Sequence, residues 1–339
     1  MHAIYLAIAS IIAFSTTLIS LRSWIDTALR FGFVGKDMNK PDKPEVAEAG
    51  GVWVALGASF GLMTLVALHR YIDGSLYNFT ELSSLITLLF MVSFIGFLDD
   101  ILGWKKGLRI WQRVVFSALL SIPLVIIKAG VSTMSLPFIG KVNFGILYPL
   151  VLVPIGVMGA SNAFNMIAGY NGLEASMGIL LMAFTSLYAY YRGITYIGDA
   201  AIIMLFALMA FLYYNKYPAK VFPGNSLTYG FGAYYAALVI LGDFERYGIL
   251  LFSLYFVELL LFLRGLRHGV YKENYGKVNP DYSLEPPYER IYSLTHFAIL
   301  VLKKIRGKAT EKSVVLFIVS LQAIIGLIVS LYFILIGPL

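Results

Sequence analysis

The sequence contains no cysteine and carries little charge for a chain of 339 residues. The absence of cysteine excludes disulfides and thiolate metal sites, although it does not identify the cellular compartment. Charged residues make up 13% of the chain and hydrophobic residues 59%, whereas about 25% of the residues in soluble domains are charged. The composition therefore predicts a protein whose solvent is a lipid bilayer.

Long segments with almost no charge predict ten membrane-spanning helices, because about 20 apolar residues cross the hydrocarbon core. The ten segments are 3–21, 50–68, 81–98, 111–129, 146–164, 173–191, 197–214, 227–241, 244–263 and 313–337. The run 291–302 is shorter and is bounded by charged residues, so we expect a cytoplasmic interfacial helix there. The predicted fold class is an all-α polytopic membrane protein, with residues 1–339 forming a single integral membrane domain.

Most of the 26 Lys and Arg residues fall in the odd-numbered loops between these segments. Because cytoplasmic loops are enriched in Lys and Arg, we expect those loops in the cytoplasm and both termini outside. The fourth loop, SLPFIGKVNFG, has the alternation and turn residues of a short external hairpin. The net charge of +7 orients the protein and attracts anionic lipid heads or a phosphorylated substrate. A nucleic-acid partner is not expected, since no contiguous basic face is separate from the membrane.

The segment NAFNMIAGYNGLE, from Asn162 to Glu174, places polar residues between two long apolar runs. It includes Asn165 and Asn171, with Gly169 between them. Polar groups at membrane depth are costly unless they line a cavity or a substrate path, so this segment is a candidate functional site. Its loop has no Lys or Arg, which predicts that it is tucked into the bundle. The alternative is an ordinary connection between two helices.

The third predicted span ends in FLDD, with Asp99 and Asp100 adjacent at its cytoplasmic end. Two carboxylates at a helix C-terminus are unfavourable to the helix dipole, so a purely structural role requires a compensating partner. The functional alternative is a metal site, because Mg²⁺ binds one or two carboxylates together with substrate phosphates. Lys106 and Arg109 follow closely enough to reach a phosphate, or they anchor the chain at the membrane surface.

Other polar residues lie in the first, seventh and ninth loops. The first, GKDMNKPDKPEVAEAGGV, is interpreted as mostly an ordinary solvated loop, with Glu48 standing out at the mouth of the second span. The seventh, NKYPAKVFPGNSLTYGFGA, is a turn-rich connector whose glycines allow close backbone approach. The ninth, 264–312, is interpreted as a lid over a cytoplasmic cleft. Glu258 in the ninth span fits a structural hydrogen bond as well as a function.

Taken in order, FLDD, NAFNMIAGYNGLE and YPAKVFPGNS resemble the motifs of the polyprenyl-phosphate N-acetylhexosamine-1-phosphate transferases, the integral membrane enzymes that start lipid-linked glycan assembly. The form GYNGLE, with Asn171, is similar to the eukaryotic and archaeal branch that uses UDP-GlcNAc. The bacterial branch that uses UDP-MurNAc-pentapeptide has Asp at this position. The resemblance implies UDP-GlcNAc and a polyprenyl or dolichyl phosphate as substrates, membrane lipids as surroundings, Mg²⁺ or Mn²⁺ as cofactor, and a homodimer.

The resemblance also implies roles for individual residues. The catalytic positions are Asp99, Asp100 and Arg109, and the metal positions are Asp99, Asn165 and Asn225. The substrate-binding positions are Glu48, Asn162, Gly169, Asn171, Glu174, Arg267 and His268. The family motif usually has Asp where this chain has Asn225, and an asparagine oxygen coordinates Mg²⁺ without contributing charge. Asp99 and Asp100 must then supply most of the charge that holds the ion.

The implied reaction is attack of the lipid phosphate on the β-phosphorus of UDP-GlcNAc, with release of UMP. One alternative is a transporter or flippase for a phosphorylated lipid; such proteins bind near the midplane between two repeats, and no repeat is visible here. A second alternative is a catalytically weak relative kept for binding, which Asn225 would explain. The expected location is the plasma membrane of a prokaryote or the endoplasmic reticulum of a eukaryote, with a cytoplasmic active site.

Overall fold

The computed structural model describes residues 1–102, 107–136 and 140–337, and most of these residues are α-helical. The helices are α1 (His2–Phe31), α2 (Gly51–Leu68), α3 (Phe79–Leu102), α4 (Ile110–Leu119), α5 (Ile122–Ile126), α6 (Val153–Met166), α7 (Leu173–Tyr191), α8 (Thr195–Asn215), α9 (Gly224–Leu241), α10 (Glu245–Leu251), α11 (Ser253–Arg267), α12 (Leu294–Arg306) and α13 (Glu311–Leu335). Short π-helical segments extend α2 to Asp73 and precede α6 from Tyr148.

Within the described ranges, seven stretches of helix are long and apolar enough to cross a membrane: α1, α2 and α6 with their π-helical extensions, α3, α7, α8 and α13. The pair α10 and α11, bent by 59° at a break, makes an eighth if it is one span. An all-α polytopic membrane protein is therefore confirmed in this coarser form. The segment 111–129 instead forms two short helices, because the ring of Pro123 would clash with the carbonyl of Leu119 in a continuous helix.

Helix α9 is at the centre of the bundle, and residues 226–241 are all buried. It packs against α2, α3 and α6, and its small residues allow the helix backbones to approach closely. A Cβ at Gly230 would lie 2.0 Å from Oγ of Ser93 in α3, and one at Gly232 would lie 2.5 Å from the carbonyl oxygen of Ala160 in α6. Glycine at these positions therefore fixes α9 between α3 and α6.

The break between α10 and α11 frees backbone carbonyls that lipid cannot satisfy. The hydroxyl of Tyr235 in α9 donates to the carbonyl of Gly248 at 2.7 Å, and Nε2 of Gln322 in α13 donates to the carbonyl of Leu251 at 3.0 Å. Gln322 is buried, where an amide is costly without a partner. Neighbouring helices therefore stabilise the bend.

Glu258, in α11, is fully buried and ties the ninth loop to the bundle. Its carboxylate accepts a hydrogen bond from the backbone N–H of Leu294 at the start of α12 and pairs with Lys272. Two residues further on, Nδ2 of Asn274 donates to the carbonyl of Met166 at the end of α6. These contacts fit the structural interpretation of Glu258 and hold the ninth loop against α6.

Short antiparallel strand pairs lie in the described parts of three loops: β1 (Val34–Lys36) with β2 (Glu45–Ala47), β3 (Thr133–Leu136) with β4 (Gly140–Asn143), and β5 (Lys277–Val278) with β6 (Leu284–Glu285). The pair of β3 and β4 is in the loop where the hairpin is expected, and its location outside the membrane stays a prediction. Strand β2 continues toward the seventh loop, where the N–H of Phe222 donates to the carbonyl of Ala47 at 2.7 Å. The first and seventh loops therefore lie side by side.

Candidate active site

Three helix ends meet at one end of the bundle, which we call the polar end. Asp99 and Asp100 lie in the last turn of α3, Asn165 in the last turn of α6, and Asn225 in the first turn of α9. Helices α3 and α9 are so close that a Cβ at Gly96 would lie 2.5 Å from the carbonyl oxygen of Asn225. The packing of α9 therefore brings together predicted site residues that are far apart in the sequence.

A chain of hydrogen bonds links three of these side chains. Nδ2 of Asn165 donates to Oδ1 of Asn225 at 2.8 Å, and Nδ2 of Asn225 donates to Oδ2 of Asp99 at 2.7 Å. The other oxygen of Asp99 accepts from the backbone N–H of Leu108 at 2.5 Å. Asp99 is only 5% exposed, so these donors replace most of the water around its carboxylate. The predicted grouping of Asp99, Asn165 and Asn225 is present in the fold.

Arg113 is a site residue that the sequence reasoning missed. Its Nε lies 3.6 Å from Oδ2 of Asp99, and its guanidinium lies 3.4 Å from the hydroxyl of Tyr229. That hydroxyl is 3.5 Å from Oδ1 of Asn165. Arg109, the predicted catalytic arginine, is the exposed N-terminal cap of α4, and its catalytic role stays a prediction. Arg113 lies within α4, whereas Arg109 precedes its first residue. Only the starting point of α4 therefore reveals which arginine faces Asp99.

Asp100 has a different environment from its neighbour. Its two carboxylate oxygens accept hydrogen bonds from the backbone N–H groups of Asn225 and Ser226, at 2.6 and 3.1 Å. It therefore caps the N-terminus of α9, where the helix dipole favours a negative charge. Gly224, with φ of 65°, allows this approach, since a Cβ there would lie 2.3 Å from Oδ2 of Asp100. This contact supplies the compensating partner that a structural role requires; the catalytic role of Asp100 stays a prediction.

Glu48 lies between the first loop and α2 and faces the polar end. Its backbone carbonyl accepts a hydrogen bond from Nε1 of Trp24 at 2.7 Å. Burial raises the pKa of the Glu48 carboxyl group to about 8, and the negative charge of Asp100 contributes to the rise. A carboxyl group with this pKa keeps its proton at neutral pH and can donate a hydrogen bond.

The loop after α6 is folded back on itself. The N–H of Gly169 donates to Oε1 of Glu174 at 2.8 Å, while Oε2 of the same carboxylate is buried without a partner among the described residues. Gly169 has φ of 129°, and a Cβ there would lie 3.2 Å from the ring of Tyr275 in the ninth loop. The loop is therefore enclosed between α7 and the ninth loop, as its lack of Lys and Arg predicts.

The outer two asparagines of the same segment have partners within the protein. Nδ2 of Asn162 donates to Oγ of Ser117 in α4 at 3.1 Å, which joins α6 to α4. Asn171 is 6% exposed, and its Nδ2 donates to Asp37 of the first loop at 2.9 Å. Their roles in substrate binding stay predictions.

Arg267 and His268 lie at the exposed end of α11, where they line a cavity of about 570 Å³ together with Arg264 and Arg290. Nε2 of His268 is 3.2 Å from a guanidinium nitrogen of Arg290. The cavity is strongly basic, and guanidinium groups bind phosphate well. Lys106, which the sequence also places near a phosphate, lies outside the described residues.

A small cleft of about 10 Å³ lies beside the polar cluster. Its lining includes Asp99, Arg113 and Tyr229, and its apolar wall consists of Val92, Ile95, Leu108 and Leu120. The cleft therefore brings a cation and a carboxylate next to hydrocarbon side chains.

A metal ion at the polar end would be bound by oxygen atoms. Among the described residues, no group of three His, Cys, Asp or Glu side chains could hold a metal. The available donors are the carboxylate of Asp99 and the amide oxygens of Asn165 and Asn225, which are hard ligands of the kind that Mg²⁺ binds. Asp99 pairs with Arg113 and accepts a hydrogen bond from the amide N–H of Asn225. The oxygen atoms of these side chains are therefore suitable ligands for a magnesium ion.

These features define an integral membrane protein with carboxylate, amide and guanidinium groups gathered at one end of a helical bundle. Residues 82–243 match the sequence profile of glycosyl transferase family 4. The chain is 36% identical, over 95% of its length and 93% of the relative, to a Saccharolobus solfataricus protein provisionally named UDP-N-acetylglucosamine–dolichyl-phosphate N-acetylglucosaminephosphotransferase. A Sulfolobus acidocaldarius protein with the same provisional name is 32% identical over 95% of this chain and 94% of the relative.

A bacterial relative matches a smaller part of the chain. It is the phospho-N-acetylmuramoyl-pentapeptide-transferase of Clostridium botulinum strain Eklund 17B, which is 32% identical over 52% of this chain and 57% of the relative. The protein belongs to glycosyl transferase family 4, whose members found here are sugar-phosphate transferases. The resemblance drawn from the three motifs is therefore confirmed.

Proposed function

We propose that this protein transfers GlcNAc-1-phosphate from UDP-GlcNAc to a polyprenyl or dolichyl phosphate, which yields lipid-PP-GlcNAc and UMP. The names of the two archaeal relatives support the substrates, since these relatives match along almost their whole length. The structural observation that carries the proposal is the meeting of Asp99, Arg113 and Asn165 beside an apolar cleft. A lipid phosphate needs charged and polar groups around its phosphate and apolar side chains around its hydrocarbon chain.

In this reaction an oxygen of the lipid phosphate forms a bond to the β-phosphorus of UDP-GlcNAc. The bond between that phosphorus and the oxygen bridging to the α-phosphorus breaks, and the oxygen leaves on UMP. Positioning and charge stabilisation supply most of the catalysis in phosphoryl transfer. A phosphate monoester has a second pKa of about 6 and is largely ionised at neutral pH, so the acceptor needs no strong general base.

Arg113 and Asp99 have complementary roles in this proposal. The guanidinium of Arg113 binds the acceptor phosphate beside the apolar cleft, and planar guanidinium groups are well suited to phosphate oxygens. Asp99 keeps Arg113 in place and orients the acceptor. Glu48, with its proton retained, donates a hydrogen bond to the sugar nucleotide.

Magnesium is proposed as the cofactor, and Asp99, Asn165 and Asn225 would hold it. A bound divalent ion would neutralise the diphosphate as negative charge develops on the leaving oxygen. The single carboxylate in this set makes the affinity of the site for the ion modest. Mn²⁺ is the alternative ion.

The proposed orientation follows the distribution of Lys and Arg. Ten spans place both termini and the β3–β4 hairpin outside, and place the polar end and the interfacial helix α12 in the cytoplasm. UDP-GlcNAc then reaches the site from the cytoplasm of either a prokaryotic plasma membrane or an endoplasmic reticulum membrane. Assembly as a homodimer stays a prediction.

The test is incubation of the purified, detergent-solubilised protein with labelled UDP-GlcNAc, polyprenyl phosphate and Mg²⁺, followed by measurement of UMP. We expect UMP and labelled lipid in equal amounts. Turnover that requires Asn225→Asp would identify a binding relative with a weakened metal site. An absence of UMP from both proteins would contradict the transferase proposal, and lipid transport without UMP would favour the flippase alternative.

A further inference from the structure

The first loop contains a charged cluster that the proposed reaction does not use. Asp37 and Lys40 are 4% and 5% exposed, and Asn39 between them is 2% exposed. The prediction of an ordinary solvated loop is therefore wrong for these residues. Burial of charged groups is costly unless each has a partner, so the partners explain why they are there.

Lys40 connects two carboxylates from opposite ends of the sequence. Its Nζ lies 2.9 Å from Oδ2 of Asp37 and also pairs with Glu311, the first residue of α13. We call these three residues the ion triad. The ammonium group also lies 4.3 Å from the centre of the Tyr217 ring. Burial acts to lower the pKa of Lys40, but the negative charges of Glu311 and Asp37 outweigh it and raise the pKa, so the lysine remains charged.

Both carboxylates of the ion triad also hold Asn171. The backbone N–H of Asn171 donates to Oε1 of Glu311 at 2.8 Å, and its Nδ2 donates to Oδ2 of Asp37 at 2.9 Å. Asn39 completes the arrangement, because its Nδ2 donates to the carbonyl of Gly169 at 2.9 Å. The loop 169–172 is thus held from the first loop and from α13.

The charge of Lys40 is what allows the two carboxylates to share this loop. Without it, two buried negative charges would face each other across Asn171, and like charges at short range repel strongly in a medium of low polarity. Separation of the carboxylates would pull the two hydrogen bonds of Asn171 apart.

We propose that Lys40 is a positioning residue for the donor nucleotide. By neutralising Asp37 and Glu311, it holds the loop 169–172, which contains the predicted substrate-binding positions Gly169 and Asn171, in the shape that binds UDP-GlcNAc. This inference rests on the proposed function. Lys40 should affect the binding of the donor and not the binding of the lipid acceptor. A general loss of stability would affect both.

The test compares Lys40→Met, Lys40→Arg and the exposed neighbour Lys36→Met as a matched control. In Lys40→Met we expect the KM for UDP-GlcNAc to rise by about tenfold, as for other coupled charge pairs, while kcat and the KM for the lipid phosphate change by less than about twofold. The affinity for UMP, measured directly by calorimetry on the solubilised full chain, falls in parallel. Lys40→Arg restores most of the affinity because it retains the charge, and Lys36→Met matches the wild type.

A double variant separates charge from shape. Lys40→Met combined with Glu311→Gln removes the repulsion, and the glutamine oxygen can still accept from the N–H of Asn171. We expect the double variant to bind UMP more tightly than Lys40→Met alone. Equal binding by the two variants would overturn the charge argument.

Further variants and the wild type decide the remaining outcomes. Asn39→Ala removes the bond to Gly169 without a change in charge and keeps the test available if Lys40→Met does not fold; its KM for UDP-GlcNAc should rise about fivefold, and an unchanged KM overturns the inference. An unaffected Lys40→Met, or one that changes kcat and both KM values alike, also overturns it. A wild type that neither releases nor binds UMP overturns the proposed function and the inference together.

Discussion

The side-chain amide of Asn225 lies 2.7 Å from the carboxylate of Asp99 and donates a hydrogen bond to it. The motif that this segment resembles usually has Asp at position 225, and a second carboxylate in this place would face Asp99 directly. The amide N–H therefore stabilises the negative charge of Asp99. A carboxylate at position 225 would repel Asp99 unless a cation lay between the two carboxylates. With Asn225, the side chains of the polar end hydrogen-bond to one another without a metal ion.

Asn225→Asp is expected to tighten magnesium binding and to make the thermal stability of the protein depend on the bound ion. The added charge should lower the Mg²⁺ concentration for half-maximal UMP release by about tenfold, because ligand charge raises affinity for hard cations. In EDTA the two carboxylates repel, so the melting temperature of the variant should fall below that of the wild type and recover with Mg²⁺. Equal melting temperatures of the two proteins in EDTA would contradict this account of the amide.

Asp99→Asn is expected to reduce kcat by a factor on the order of 10² to 10³, the range seen when one charge-stabilising group is removed from an active site. The substitution preserves the shape, and its carbonyl oxygen can still accept from the N–H of Leu108. UMP affinity and the melting temperature serve as controls for intact folding. A kcat within about threefold of the wild type would remove Asp99 from the mechanism.

Arg113→Met is expected to raise the KM for the lipid phosphate by about tenfold, because a hydrogen bond to a charged group contributes on the order of 1.5 to 3 kcal/mol. Arg109→Met is the matched control, since the same change is made at the exposed residue that caps the N-terminus of α4. Its kinetics should stay within about twofold of the wild type. A larger effect of Arg109→Met would restore the sequence-based assignment of Arg109.

Asp100→Ala is expected to destabilise the start of α9 by about 0.5 to 2 kcal/mol, the usual effect of losing an N-terminal cap. Asp100→Asn should lose less, because its single side-chain oxygen can still accept one backbone N–H. The exposed Asp42→Ala provides the control. Thermal unfolding in detergent measures the effect, and identical melting curves for Asp100→Ala and the wild type would exclude the capping role.

Glu48 gives the stability of the protein a dependence on pH. Its pKa in the folded protein is about 8, above the ordinary 4.5, so between these values the folded state binds a proton that the unfolded state lacks. Its contribution to stability is fully present below about pH 4.5 and is lost as the pH rises toward 8. Relative to the wild type, Glu48→Gln should therefore lose less stability between pH 5 and about pH 8. Parallel melting temperatures of the two proteins across this range would rule out the raised pKa.

Much of the fold follows from local sequence. Apolar runs of sufficient length predict helices wherever they occur, and each of the ten predicted segments is mostly helical. Two segments are broken, 111–129 by Pro123, which separates α4 from α5, and 244–263 by the bend between α10 and α11. The seclusion of the Asn162–Glu174 segment was also predictable, because a loop without Lys or Arg avoids the membrane surface.

The individual partners within the site were not predictable. Asp99 and Asp100 are neighbours in the sequence, yet one contacts Arg113 and the other caps α9, since a turn of helix points adjacent side chains in different directions. Lys40 looks like an ordinary surface lysine until α13 brings Glu311 to it.

The sequence by itself determined that the chain spans a membrane, which polar segments are costly enough to require a purpose, and which family its motifs resemble. Only the tertiary structure decided which of those polar groups face one another. The physical reason is the distance along the chain over which each effect acts. Hydropathy and helix formation depend on neighbouring residues. The environment of a buried charge depends on groups that are hundreds of residues apart in sequence, as Lys40 and Glu311 are.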